Sequence, residues 1–410
     1  MMPEKTCRFC RAELAQTFVD LGATPLSNAN VKAEDLDRGE TYYPLHAYVC
    51  GRCLLVQLQQ FETPEEIFGD YAYFSSYSQT WLDHCRAYTE AVTERFGFAP
   101  GASVVELASN DGYLLQYFRD KGFDVLGVEP ADNVAQVAVR KGIPTEVMFF
   151  GAETARQLVA RGRTADLLIG NNVLAHVPDL NDFVTGMKII LADDGVITME
   201  FPHLLRLMER NQFDTIYHEH FSYFSFLVVE KVFAAHGLRL FDVEELTTHG
   251  GSIRIHGCHA GSSRADEPGV ARMRALEAEA GLDRIETYRG FDLKVQTVKR
   301  DLLAFLIEAG RASKTVVGYG APAKGNTLLN YCGIRRDFLE FTVDRSPHKQ
   351  GLFLPGTHIP IYAPERIMEA RPDYVLILPW NIKDEIMAQM AAVRDWGGRF
   401  VVPIPELEVC

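Results

Sequence analysis

The chain has no apolar run approaching the roughly 20 residues that cross a bilayer, and its start, MMPEKTCRFC, lacks the basic-then-apolar layout of a secretory signal. These absences set the expectation of a cytoplasmic protein with no membrane partner. A cluster of Lys and Arg is also missing. With 41 basic against 55 acidic side chains the net charge is −14, whereas a phosphate-backbone binder needs concentrated positive charge. Nucleic acid is therefore not an expected partner. No low-complexity tract occurs, nor a repeat of the length that builds solenoids.

What is present is ordinary for a folded globular protein: 47% hydrophobic and 23% charged residues. At 410 residues the chain exceeds one compact core, so two or three units are expected. Residues 1–70 hold two CxxC pairs among short aromatic pieces such as TYYPLHAYVC, the pattern of a small metal-stapled unit. After the helical stretch WLDHCRAYTEAVTERFG, the segments SVVEL, DVLGVEP, TEVMFF, ADLLIGNN and GVITMEF alternate with helix-length spacers, the pattern of a doubly wound α/β unit over 71–260. RMRALEAEAG and LKVQTVKRDLLAFLIEAG read as long helices. A second alternating series, TVVGYG, FLEFTVD, YVLILPW and GRFVVPI, places another Rossmann-like unit at 261–410. The expected fold is α/β, with two doubly wound Rossmann-like domains and a small N-terminal zinc-binding domain.

Cys7, Cys10, Cys50 and Cys53 supply the four thiolates of a closed tetrahedral site; zinc is the favoured ion, and closure makes it structural, since a catalytic zinc keeps one position open. Free buried thiols or a redox pair are the alternative. Cys85, Cys258, Cys332 and Cys410 are scattered and carry no pattern.

The loop after SVVEL reads Glu106-Leu107-Ala108-Ser109-Asn110-Asp111-Gly112, and Glu129 ends the next strand. A backbone-approachable loop followed by a carboxylate able to accept ribose hydroxyls is the layout of an adenosine site. The loop lacks the repeated glycines that cradle a pyrophosphate, and Glu106 and Asp111 would repel one. A cationic adenosine ligand, S-adenosylmethionine, fits better. Asn171 and Asn172, then His176, follow the fourth strand at the same sheet edge. An ordinary strand end with a polar loop is the bland alternative.

The segment Asp214-Thr215-Ile216-Tyr217-His218-Glu219-His220 concentrates acid–base groups: histidine takes and returns a proton near neutral pH, and tyrosine donates to a developing oxyanion. Removing a proton beside a ketone needs both. Metal ligation by His218, Glu219 and His220, or an exposed polar loop, are the competing readings. His249 and Arg254 are further candidates. Gly318-Tyr319-Gly320-Ala321-Pro322-Ala323-Lys324-Gly325-Asn326, with Asp344 and Arg345 after the next strand, resembles a dinucleotide fingerprint. NAD(P), a sugar-nucleotide diphosphate held by Lys324 and Arg345, and a ligand-free Rossmann unit all remain open there.

Together CRFC, CGRC, YAYFSSYS, VELASNDGYLL, YHEHFSYFS, THGGSIR and GYGAPAKGN resemble the sugar C-methyltransferases of deoxysugar biosynthesis, over essentially the whole chain. The resemblance implies a zinc-binding N-terminal domain, a central S-adenosylmethionine domain and a C-terminal α/β domain that helps hold a nucleotide sugar. It implies His220 as the base, with Tyr217, Glu219 and His176 around it and Glu219 orienting His220. Tyr71 and Tyr77 of YAYFSSYS, with His249, Arg254, Lys324, Asn326 and Arg345, are the implied substrate contacts. Ala108 stands where many methyltransferases carry glycine. The implied substrate is a dTDP-linked 4-keto-6-deoxyhexose, methylated beside its carbonyl with carbon 3 favoured. An NAD(P)-dependent oxidoreductase working through the second glycine loop is the alternative. Nothing fixes an oligomeric state, and a monomer is compatible with the sequence.

Overall fold

The computed structural model describes residues 5–63 and 74–410. Strands β1 (Gln16–Thr24), β2 (Tyr43–Val49) and β3 (Val56–Leu58) form an antiparallel N-terminal sheet. Its fourth strand is donated from the middle of the chain, where β9 (Ser222–Tyr223) pairs with β3.

The central sheet holds β4 (Ser103–Leu107), β5 (Asp124–Val128), β6 (Thr145–Glu146), β7 (Ala165–Asn171), β8 (Leu191–Pro202), β10 (Leu238–Leu246) and β11 (Ser252–His259) in the order β10-β11-β8-β7-β4-β5-β6. From β6 to β8 all neighbours are parallel, as continuous apolar runs buried on both faces predict. The chain leaves β4 toward β5 on one side and returns to β7 on the other, so the topological switch point lies between β4 and β7.

The antiparallel β10 and β11 were not anticipated, because Asp242, Glu244, Arg254 and His256 interrupt their apolar pattern. In the sheet these charges face one another: Asp242 registers with His256 and Glu244 with Arg254, and Arg95 reaches both Asp242 and Glu244. The cross-strand pairs compensate the charge. TEVMFF shortens to Thr145–Glu146, leaving Val147 and Phe149 substantially exposed at the sheet edge.

The third sheet holds β12 (Val316–Tyr319), β13 (Thr342–Val343), β14 (Ile361–Tyr362), β15 (Tyr374–Ile377), β16 (Arg399–Val402) and β17 (Glu408–Val409), in the order β14-β13-β12-β15-β16-β17 and parallel except at β17. The fold is therefore α/β with two doubly wound sheets and a small N-terminal cysteine unit. The long helices lie at Pro268–Glu279 and Phe291–Arg311. The first packs on the central unit, where the Glu277 carboxylate accepts the Phe226 and Leu227 amides and bonds His203. Val295, Val298, Leu302 and Leu306 of the second make one buried stripe at helical spacing.

All three units share one apolar core. Phe18 of β1 stacks on Phe291 at 4.6 Å, and the Val31 amide donates to the Phe353 carbonyl at 2.8 Å. The Asn326 side chain donates to the Ser27 carbonyl at 2.6 Å. This packing brings the carboxyl edge of the central sheet, the 214–220 segment and the C-terminal glycine loop together.

Candidate active site

The N-terminal cysteines do converge. The sulfurs of Cys7, Cys10, Cys50 and Cys53 all lie within 4.8 Å of one another, with Cys7 to Cys53 and Cys10 to Cys50 each at 3.5 Å. Bonds of roughly 2.3 Å to a shared zinc put tetrahedral sulfurs roughly 3.8 Å apart, so the four fit one ion. Both knuckles fold alike: the residue after each second cysteine, Arg11 and Leu54, sits at positive φ and returns its amide to the carbonyl of the first cysteine. Asp242, Glu244 and His256 also cluster, but Arg95 and Arg254 already neutralise those carboxylates.

At the end of β4 the loop is strained. Ala108 (φ 55) and Asn110 (φ 49) are left-handed, which explains why glycine would suit position 108. Gly112 (φ 75) is required, since a Cβ there would lie 2.3 Å from Ile143 Cδ1. Glu129 binds the loop into shape, one oxygen taking the Asn110 amide and the other the Ala131 amide, each at 2.9 Å. Each oxygen keeps a second lone pair for a ligand hydroxyl. Ser75 donates its amide to Asn110 at 3.0 Å, and Ser76 bonds Asp111, which Lys141 pairs at 3.1 Å.

Glu106 is fully buried beside Tyr113, and neither of its oxygens receives a hydrogen bond of normal geometry. Burial, reinforced by Glu129 and Asp111, pushes its carboxyl well above the usual range. A bound cation would satisfy it. Trp81, on the helix Gln79–Phe96, packs against Tyr113 and also against His249, with His84 stacked on it one turn later. Trp81 and His84 carry a signal that sequence reasoning passed over: spaced three apart, they share a helix face.

The acid–base cluster assembles around His220. Its Nδ1 faces the Thr215 carbonyl at 2.8 Å and its Nε2 the Tyr217 hydroxyl at 2.9 Å. A carbonyl only accepts, so Nδ1 carries the proton and Nε2 presents its lone pair to the tyrosine O–H. The His176 ring stands edge-on, 4.6 Å from that of His220. Burial, then His176, His249 and Lys324, hold His220 well below the usual histidine range. Burial likewise lowers His176 and His249 to about 4, Lys324 adding to the effect at His249. His249, at φ 53, meets the Asn172 side-chain nitrogen at 3.1 Å. Asn171 ends β7 and Asn172 follows it at the same edge, the Asn172 amide donating to the Glu200 carbonyl at 2.7 Å.

Some expected contacts lie elsewhere. Glu219 does not orient His220: its Oε1 accepts from Asn28 of the N-terminal unit at 2.6 Å, and Thr215 does the orienting. Burial pushes Glu219 up to about 7. Arg254 is buried and spent on Glu200 at 2.6 Å, its guanidinium over the Tyr88 ring. Asn326 is a buried tie to Ser27. Arg345 is on the surface, 3.7 Å from Glu385. Tyr77 is 70% exposed with its ring parallel to that of His348, and Tyr71 lies outside the described residues.

In the second glycine loop a Cβ on Gly320 (φ 92) would lie 2.5 Å from Pro379 Cδ, and one on Gly325 would press on Leu378. The glycines thus serve packing. Asp344, which would hold a ribose in a dinucleotide site, takes the Ala321 and Ser346 amides at 2.8 Å.

Three family models match in succession: a zinc binding domain over residues 7–68, a methyltransferase domain over 81–243, and a C-methyltransferase C-terminal domain over 247–405. The C-methyltransferase NovU of Streptomyces niveus is 39% identical over 99% of this chain and 97% of its own. The chain belongs to the C-methyltransferase family. A ubiquinone biosynthesis O-methyltransferase of Rhizobium etli is 27% identical over 24% of this C-methyltransferase and 40% of that protein. Among solved structures, the PH0226 protein of Pyrococcus horikoshii aligns with a TM-score of 0.38 at 17% identity, over 48% of this chain and 99% of that one.

Proposed function

We propose that the protein transfers a methyl group from S-adenosylmethionine to the carbon beside the keto group of a dTDP-linked 4-keto-6-deoxyhexose, carbon 3 favoured. The observation that carries this is the pairing of a neutral, buried histidine base with a fully buried carboxyl group, Glu106, at the switch point of one sheet. Glu129 would hold the ribose, the 108–112 loop the adenosine, and Glu106 the positive end of the cofactor, whose contribution is an electrophilic methyl on a cationic sulfur.

His220 Nε2 takes the proton of the carbon next to the carbonyl. To do so it exchanges the Tyr217 hydroxyl for the substrate C–H, and that hydroxyl can turn its hydrogen to the enolate oxygen, with His176 close by. Because the site is walled by three units and its histidines are held neutral, the enolate forms in a space of low dielectric, where it is shielded from water. The packed glycines and occupied Asp344 of the C-terminal loop speak against the dehydrogenase reading.

The test is a calorimetric titration with S-adenosylhomocysteine, followed by dTDP in its presence. Binding of both is expected. Failure of the first, with NAD binding instead, would refute the proposal.

A further inference from the structure

We propose that Lys324 is a catalytic residue of this reaction, its ammonium contacting the enolate oxygen that forms as His220 takes the substrate proton. The inference rests on the reading just given. On the helix Ala323–Cys332, positions 324, 327 and 331 share one face. Thr327 Oγ1 donates to the Ile216 carbonyl at 3.0 Å, and the Tyr331 ring lies 5.5 Å from that of Phe213. That face therefore runs along the segment leading into Tyr217 and His220, with Lys324 at its end.

The lysine is held without an ion pair: burial lowers it from the usual lysine value, and Asp214, the carboxyl whose charge acts on it, offsets only part of that effect from beyond ion-pair distance. Its Nζ donates to Asn381 Oδ1 at 2.6 Å and stands 4.6 Å from the centre of the Trp380 ring. The indole is fixed by Asp214, whose Oδ2 accepts its N–H at 2.7 Å. The far edge of the ring sits 2.7 Å from where a Cβ on Gly250 would be, next to His249. Among the described residues no carboxylate approaches Nζ to ion-pair distance, and Asn381 is the side chain that accepts from it. A lysine in the first turn of a helix also opposes the helix dipole, a placement that costs stability unless an anion arrives. Trp380 thus bridges Lys324 on one side and the turn that carries His249 on the other, and the lysine charge adds to burial in keeping His220 and His249 neutral.

The step balances. The C–H electron pair becomes the C=C bond of the enolate, the proton passes to His220 Nε2, and the carbonyl oxygen becomes an oxyanion facing the ammonium. The enolate carbon then forms the new C–C bond to the methyl as the S–CH3 bond breaks with its pair on sulfur, the C=O bond re-forms, and the imidazolium loses its proton to solvent. One fixed cation at the developing oxyanion is the arrangement that lowers such a barrier.

The experiment follows deuterium wash-in from D2O beside the carbonyl of dTDP-4-keto-6-deoxyglucose, with S-adenosylhomocysteine bound so that no methyl is transferred. Lys324→Met is expected to slow wash-in and kcat by about 10²–10³-fold, and Lys324→Arg to recover part of both. Dissociation constants for dTDP and S-adenosylhomocysteine should stay within about two-fold of wild type, which also shows that the variants fold. If dTDP binding weakens while wash-in at saturating substrate is unchanged, Lys324 holds the diphosphate and the inference is wrong. Wash-in in Lys324→Met equal to that of an active wild type overturns the inference alone. Absence of wash-in above background in wild type overturns the proposed substrate and the inference with it.

Discussion

Replacing Glu219 by Gln tests the electrostatics of the site through stability rather than rate. Glu219 is 7% exposed, and burial raises its carboxyl from 4.5 to about 7, Asn28 and Lys349 offsetting only part of the effect. Because the folded value lies above the unfolded one, the folded chain holds this proton more tightly. The associated stabilisation is complete below about pH 4.5 and is lost as pH rises through about 7. At about 1.4 kcal/mol per unit, ionising Glu219 in the folded chain costs about 3 kcal/mol by pH 8 and under about 1 kcal/mol at pH 5. Gln is neutral throughout, and its Oε1 can still accept from Asn28. Relative to wild type, Glu219→Gln should therefore be about 2–3 kcal/mol more stable at pH 8 than at pH 5, roughly 5–10 °C in the midpoint of the unit that melts with it. Urea and thermal melts of zinc-loaded protein at both pH values measure this, and titrations common to both proteins, such as that of His218, cancel in the difference. A stability difference that does not change with pH would refute the argument.

Other outcomes follow from the same geometry. His220→Asn should lower turnover by about 10²–10⁴-fold while S-adenosylhomocysteine binds as before; wild-type turnover in the variant would remove His220 as the base. Since burial and nearby positive charge hold His220 well below 6.5, any fall of kcat/KM between pH 8 and 6.5 should come from the carboxyls of Glu219 and Asp214, both raised to about 7, and should disappear in Glu219→Gln and Asp214→Asn; a loss centred near 6.5 that survives both substitutions contradicts this. Metal analysis should find about one zinc per chain. Cys53→Ser should lose the ion and, through the pairing of β3 with β9, loosen the His220 segment, whereas a metal-free chain that is fully folded would defeat the structural role. Gly112→Ala, forced onto Ile143 at a left-handed φ, should cost about 1–3 kcal/mol and abolish S-adenosylhomocysteine binding; normal affinity would show that the loop does not contact the ligand.

The sequence determined those features that depend on local order. Two CxxC pairs can place four sulfurs on one ion wherever the intervening chain goes, and β-branched runs alternating with helices make parallel sheets whatever covers them. The loop after β4 and the acidic end of β5 were legible because a strand, a turn and a carboxylate in that order are neighbours at one sheet edge by topology alone.

The orientation of side chains was a tertiary decision. Glu219 and His220 are adjacent in sequence, yet one turns to Asn28 and the other to Tyr217 and Thr215, because three units meet on opposite sides of the segment. Arg254 looked free beside a glycine pair and is consumed by Glu200, which only strand pairing brings opposite it. Asn326 became an interdomain tie rather than a ligand contact. Trp81 joined the site because its helix crosses the sheet edge, and Trp380 because the C-terminal unit docks on Asp214. Residue type and spacing state what chemistry a segment can offer; which partner each group meets is fixed by long-range packing, and that packing buries Glu106, keeps His220 neutral with a lone pair on Nε2, and leaves Lys324 without an ion-pair partner among the described residues.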